Sequence, residues 1–320
     1  MTPLRTKVLR VVAVSATFFA SFEFCAPAVK RFMPRDGSSA DLAQLWVDPG
    51  DVASRDMVYG PWGRGHAPDA KAVYTFVRNK VHGASPGVTV VDPRGVKWSV
   101  KQSTEGPVEV MQSRILSALG YHQPPVYYLG EWQAHKATSP NPQLPARFRE
   151  RTPDLHGLDA DGTWSYYRNP FVGTRQLNGL LTIQAMLGNS DLKDTQNATY
   201  TLKEPFEGAR RWYVARDLGQ SFGRTGVLDA PRGDVVVFER TPFIRGVTNG
   251  RVQFDYRGRH KVLFEKISPA DVRWACEQLR ALSDDQWHDA FRAGGFPQSL
   301  ADRFIRRMKQ KIDEGLSLKD

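Results

Sequence analysis

Cysteine is almost absent: Cys25 and Cys276 are the only two in 320 residues. If residues 1–28 are a leader that is removed, Cys276 stands alone, so no internal disulfide can form and the core must stabilise the fold by itself. The apolar run Val11–Phe22 spans twelve residues, well short of the roughly 20 that cross a bilayer. The seven histidines (66, 82, 122, 135, 156, 260 and 288) show no H-E-x-x-H spacing, which argues against a zinc site. G-x-S-x-G occurs twice, as "GASPG" (Gly83–Gly87) between two predicted strands and as "GQSFG" (Gly219–Gly223), and neither leads into a predicted helix as a hydrolase elbow requires. There is no Arg/Lys stripe interleaved with aromatics for nucleic acid. Internal repeats are missing too.

What is present is an ordinary globular composition, 41% hydrophobic and 11% aromatic, with a formal charge of +10. That charge suits an anionic partner such as a nucleotide, lipid head group or acidic glycan without choosing among them. The first residues, "MTPLRTKVLR", carry three basic side chains and no acid. The apolar run follows, and then the small-x-small "APA" at Ala26–Ala28. This layout predicts a signal peptide over 1–28 and export to the periplasm or the extracellular space. An uncleaved N-terminal membrane anchor is the alternative, and no transmembrane helix is expected after cleavage.

An arm over 29–67 mixes Pro, Gly, Asp and Ser with a few aromatics, and a short helix is expected near Asp41–Trp46. "YTFVRNK" (Tyr74–Lys80), "GVTVVD" (Gly87–Asp92) and "KWSVKQ" (Lys97–Gln102) are β-branched and aromatic runs separated by "HGASPG" and "PRG", which predicts strands joined by turns. Pro107–Gly120 has helical periodicity and a terminal glycine, and Pro124–Gln133 predicts another strand. Residues 136–175 show no clean period and are expected to be an insert or long loop. A helix over Gln176–Leu187, two strands and then three helices after residue 268 complete an α+β order.

The chemistry-bearing residues fall in one order along this framework. Lys101 closes the strand "WSVK", and Glu109 lies at the start of the next helix. Asp191, Lys193, Asp194 and Asn197 sit in "GNSDLKDTQN" (Gly188–Asn197), directly behind an apolar helix, and Asp217 follows a strand in "VARDLG". Phosphoryl transfer from ATP needs a lysine on the phosphates, a carboxylate that orients that lysine, a carboxylate at the attacking hydroxyl, and an Asn/Asp pair on Mg²⁺.

On these residues the chain resembles the protein-kinase-like superfamily, in particular its atypical members: HipA-type, phosphoinositide, secretory-pathway and CotH-type kinases. The resemblance spans about residues 70–225. It implies a two-lobed fold, with a small antiparallel-sheet lobe carrying one helix over 68–132 and a larger, mainly helical lobe over 133–320. It implies that Lys101 binds ATP with Glu109 as its ion-pair partner, that Asp191 is catalytic with Lys193 beside the γ-phosphate, and that Asn197 and Asp217 hold Mg²⁺. The phosphate acceptor would be an unidentified protein, lipid or glycan.

Several features depart from the protein-kinase pattern. There is no G-x-G-x-x-G loop, no His-Arg ahead of Asp191, and no Ala-Pro-Glu after Asp217; five residues rather than four separate Asp191 from Asn197. Asp194 is therefore a rival for a carboxylate role. Taken singly, Lys101 reads as a solvated strand-end lysine, Glu109 as a first-turn helix carboxylate, and Asn197-Ala198-Thr199 as a glycosylation acceptor. Two other functions fit the same residues. One is a kinase-like exported binding protein without catalysis. The other is a metal-dependent phosphoester hydrolase built on Asp191, Asp194 and Asp217. Cys276 and the tryptophans Trp98, Trp132, Trp212, Trp274 and Trp287 are expected to be packing residues.

Overall fold

The turn "DPRG" shows how the sequence builds the first sheet. The Asp92 carboxylate accepts the backbone N–H of Arg94 and Val96, both at 2.9 Å, and Gly95 takes φ +84°, a conformation that costs glycine little. The computed structural model describes residues 43–80, 87–136, 141–151, 159–206, 209–223 and 232–320. They all belong to one compact unit, Phe32–Asp320. The expected leader over 1–28 and most of the "HGASPG" turn lie outside the described residues.

The described chain begins with β1 (Ala43–Gln44), a 3-10 turn and the short α1 (Gly63–His66). Then come β2 (Val73–Asn79), β3 (Gly87–Val91), β4 (Lys97–Lys101), α2 (Gly106–Ala118), β5 (Val126–Leu129), β6 (Gln133–His135) and β7 (Ala146–Glu150). Strands β2 to β7 form one curled mixed sheet in the order β5-β7-β4-β3-β2-β6, with β6 parallel to β2 and the other neighbours antiparallel. The sheet therefore runs beyond residue 132, the expected lobe edge. Within it β4 is flanked by β7, which comes from a segment expected to be loop.

Strand alternation gives this sheet two unlike faces. Tyr74, Val90, Trp98, Val100, Tyr127 and Phe148 are buried in one apolar cluster. Residues of the N-terminal arm and its continuation, among them Tyr59, Ala67 and Ala72, pack against that cluster. The opposite face carries Ser99, Lys101, Arg147 and Arg149, and α2 covers part of it.

The rest of the chain is β8 (Asp159–Gly162), α3 (Arg175–Leu187), β9 (Ala198–Phe206), β10 (Ala209–Val214), α4 (Val235–Arg240), β11 (Ile244–Thr248), β12 (Arg251–Phe254), α5 (Lys261–Phe264), α6 (Pro269–Arg280), α7 (Asp284–Ala293) and α8 (Gln298–Leu316). A second sheet has the order β1-β10-β9-β8, so this half is helix-rich but not purely helical. The expected helix near 41–46 is replaced by β1, which pairs in parallel with β10 through Ala43–Arg211 and Gln44–Trp212. An open sheet edge offered hydrogen bonds that a lone helical turn could not match.

Helix α2 anchors the first sheet to the second half. Its Val108, Met111, Ile115 and Leu116 share one core with Leu180 and Ile183 of α3, Ala275 and Cys276 of α6, Trp287 of α7, and Phe304 and Met308 of α8. Cys276 is a packing residue, its thiol pushed up to about 12 by burial. Trp98, Trp132, Trp212 and Trp287 are fully buried. The arrangement is α+β, a curled mixed sheet with helices packed against it. Among the described residues no helix is long and apolar enough to cross a membrane.

Candidate active site

Lys101 ends β4 on the polar face of the sheet and is 6% exposed. Its ammonium pairs with Glu105 and lies 3.4 Å from Asp217 Oδ1. Burial alone would push that ammonium down. Asp217, Glu109 and Glu105 together outweigh it, and the pKa is raised, so Lys101 stays charged. Two residues 116 positions apart, each read from the sequence as phosphate or metal contacts, are thus in direct reach.

Glu109 plays a different part from the one expected. It is 2% exposed, and its carboxylate binds Arg147 Nε at 3.2 Å and the Arg149 guanidinium. Burial raises a carboxyl, but Arg147, Arg149 and then Lys101 overrule it and hold Glu109 well below the usual range. The direct partner of Lys101 is Glu105, one helical turn earlier. Replacing Glu109 by glutamine should strand the buried Arg147 guanidinium and the half-buried one of Arg149, and cost about 3–5 kcal/mol in urea unfolding. A loss under about 1 kcal/mol, with weakened nucleotide binding instead, would return Glu109 to the role of lysine partner.

The loop of the second half is set by the end of α3. Thr174 caps its start, accepting the Leu177 N–H, and Gly188 ends it at φ +71°. Asn189 then turns the chain, its side-chain oxygen accepting the Asp191 N–H at 3.1 Å. Asp191 Oδ2 accepts from Lys193 Nζ at 2.6 Å and from Gln196 Nε2 at 3.2 Å, and Arg259 Nε lies 3.5 Å from Oδ1. The same Gln196 nitrogen donates to Asp217 Oδ2 at 3.0 Å. One amide thus bridges the two carboxylates.

Gln196 is the residue that sequence reasoning missed. Four residues separate it from Asp191, the protein-kinase spacing, and the 3-10 turn Asp194–Gln196 points it back toward the cleft. Asn197, the expected metal ligand, is 1% exposed; it donates to the Trp164 carbonyl at 3.1 Å and is hydrogen-bonded with Tyr166. Its amide is a structural strut, and a side chain so buried is not an open glycosylation acceptor. Asp194 is drawn aside as well, accepting the Tyr166 N–H at 3.2 Å and facing His260 Nε2 at 3.4 Å.

Asp217 adopts φ +59°, a left-handed conformation that Asp tolerates better than most residues and that often marks a functional position. Gly219 follows because a Cβ there would lie 2.5 Å from Glu105 Cβ and 2.8 Å from the Glu105 carbonyl oxygen. The turn is pinned on both sides: Gln112 donates to Leu218 O at 2.9 Å and Phe222 N–H to Leu187 O at 2.8 Å. A cavity of about 660 Å³ opens beside it, lined in part by Ser103, Glu105, Tyr128, Gly219, Arg232 and Phe296.

Among the described residues no three His, Cys, Asp or Glu side chains converge on one point, so the three-carboxylate arrangement of a hydrolase is not formed. Mg²⁺ in phosphoryl transfer asks for less: one or two protein ligands, with phosphate and water completing the octahedron. The donor set fits. Asp217 supplies a carboxylate, and the Gln196 amide sits with its N–H₂ group between two anions, where a cation would be favoured. Rotating that amide about its last bond presents the oxygen instead.

No family model matches the chain, and no curated protein matches it. In structure it is similar to a crystal structure of a Helicobacter pylori proinflammatory kinase CtkA, with 12% sequence identity and a TM-score of 0.45, covering 76% of this chain and 92% of that chain. The function is therefore inferred from the site geometry and not from this likeness.

Proposed function

We propose that the chain is an ATP- and Mg²⁺-dependent phosphotransferase of the atypical kinase type. The observation that supports this most is the continuous polar chain from Lys101 through Asp217 and Gln196 to Asp191 and Lys193. It joins a strand of the first sheet to the loop behind α3, and each member has a task in phosphoryl transfer.

Lys101 binds the phosphates of ATP, its charge maintained by Glu105 and Asp217. Asp191 accepts the proton of an acceptor hydroxyl on a protein, lipid or glycan as its oxygen bonds to the γ-phosphorus, and the bond to the bridging oxygen breaks to release ADP. Lys193 lies beside Asp191, placed to steady the transferred group. Mg²⁺ on Asp217 and Gln196 would supply charge neutralisation at the phosphates. Most of this catalysis is positioning, for which a strand end and a capped helix end are suitable platforms.

Thermal unfolding with ATP, Mg²⁺ and both together tests the proposal. A ligand that binds only the folded state raises the melting temperature, so MgATP should stabilise the protein well beyond either component alone. Stabilisation by Mg²⁺ alone would favour a hydrolase, and no shift with any of the three would overturn the proposal. MgATP binding without transfer to any acceptor would leave the non-catalytic binding protein.

A further inference from the structure

The cationic face of the first sheet contains one lysine without an assigned role. Lys101 is registered opposite Gly87 on β3 and opposite Arg147 on β7. The Lys80 N–H donates to the Gly87 carbonyl at 2.8 Å, continuing the β2–β3 ladder by one residue. Directly opposed residues on neighbouring strands put their side chains on the same face. Lys80, Lys101 and Arg147 therefore form one transverse row, with Gly87 as a gap between the two lysines.

That gap is required. A Cβ on Gly87 would lie 2.7 Å from the Val100 carbonyl oxygen and 3.3 Å from Lys80 Cδ, so the lysine stem occupies the space above the glycine. The small side chains Thr89 and Ser99, which face each other across β3 and β4, keep the next row shallow. Arg149 shares the face two residues further along β7.

The charges on this face are unevenly matched. Glu105 and Asp217 are engaged by Lys101, and Glu109 by Arg147 and Arg149. The exposed Lys80 ammonium has no hydrogen-bond or ion-pair partner among the described residues. Partial burial lowers its pKa, and Lys101, Arg147 and Arg149 lower it further against the pull of Asp217. This cation lies within the field of three others and of the carboxylate assigned to the metal.

We propose that Lys80 is a phosphate-binding residue that receives the terminal phosphates of a nucleoside triphosphate, serving with a side-chain charge where a G-x-G-x-x-G loop would serve with backbone N–H groups. This rests on the nucleotide-binding role proposed above and adds a residue and a specificity to it: the site measures the number of phosphates. A charge-assisted contact is worth about 1.5–3 kcal/mol, or roughly 10–100-fold in affinity.

Calorimetric titration of wild type, Lys80→Ala and Lys80→Arg with ATP, ADP and AMP, each with Mg²⁺, and with inorganic tripolyphosphate tests it. Lys80→Ala should weaken ATP and tripolyphosphate about 10-fold or more and leave AMP within about threefold, while Lys80→Arg keeps most of the ATP affinity. Equal losses for ATP and AMP, or no loss, would overturn it. Wild-type protein that binds tripolyphosphate but no nucleotide would overturn the phosphotransferase proposal instead. In that case, loss of tripolyphosphate binding in Lys80→Ala keeps the anion site, and its retention overturns that as well. Melting temperatures of the three proteins without ligand should agree, since Lys80 is exposed.

Discussion

Asp217→Asn is expected to abolish the Mg²⁺-dependent part of ATP binding and to lower phosphoryl transfer by about 10²–10⁴-fold, the equivalent of several kcal/mol of charge stabilisation. Asparagine is the informative replacement because Asp217 sits at φ +59°. Alanine would add backbone strain there, whereas asparagine tolerates the left-handed region and removes only the charge. Lys101 would keep Glu105 as a partner, so the fold should survive. The side chain is about one-third exposed, and an ion pair that open to solvent contributes little to stability. The measurement is the ATP affinity at zero and at saturating Mg²⁺. In wild type the metal should tighten binding, and in Asp217→Asn the two values should coincide. A variant that retained the Mg²⁺ effect would remove Asp217 from the metal site and with it the polar chain on which the function was proposed.

The parts of this site that were legible in the sequence are those fixed by local pattern. "WSVK" puts Trp98 and Val100 on one face and Ser99 and Lys101 on the other, whatever the strand pairs with. The apolar run before Gly188 needs a helix, and the glycine ends it at positive φ. The misread residues were decided by partners distant in the chain. Glu105 and Glu109 are one helical turn apart and equally placed to meet a lysine. What separates them is β7, whose Arg147 and Arg149 capture Glu109. Because β7 lies in a segment without clean periodicity, nothing local announced either the strand or its two guanidinium groups.

The same holds for Gln196 and Asn197. They are adjacent, both carry amides, and the choice between them depends on a 3-10 turn that sends one toward Asp217 and the other under Trp164. The spacing did contain the clue, since Gln196 rather than Asn197 stands at the protein-kinase distance from Asp191. Strand β1 is a further instance: its conformation follows from the free edge of β10 and from nothing in its own two residues.

Asp191→Asn should show the opposite split from Asp217→Asn. If Asp191 takes the proton from the acceptor hydroxyl, its loss removes general-base catalysis, worth about 10²–10⁴-fold in kcat, and leaves ATP affinity within about threefold. The surroundings support that separation. Asp191 is held by Lys193, Gln196 and Arg259 and, among the described residues, is linked to Asp217 through the Gln196 amide. Asparagine keeps a side-chain oxygen to accept from Lys193, so the loop should hold its shape. Asp194→Asn is the control. Its carboxylate accepts a backbone N–H from Tyr166 and faces His260, contacts that an amide oxygen retains, so kcat should fall by less than about 10-fold. Steady-state rates and ATP titrations on the two variants decide the matter. An inactive Asp194→Asn beside an active Asp191→Asn would place the acid–base group at the first residue of the 3-10 turn. A joint loss of ATP binding in Asp191→Asn would make this carboxylate a metal ligand rather than a base, since only the metal and the phosphates connect it to nucleotide affinity.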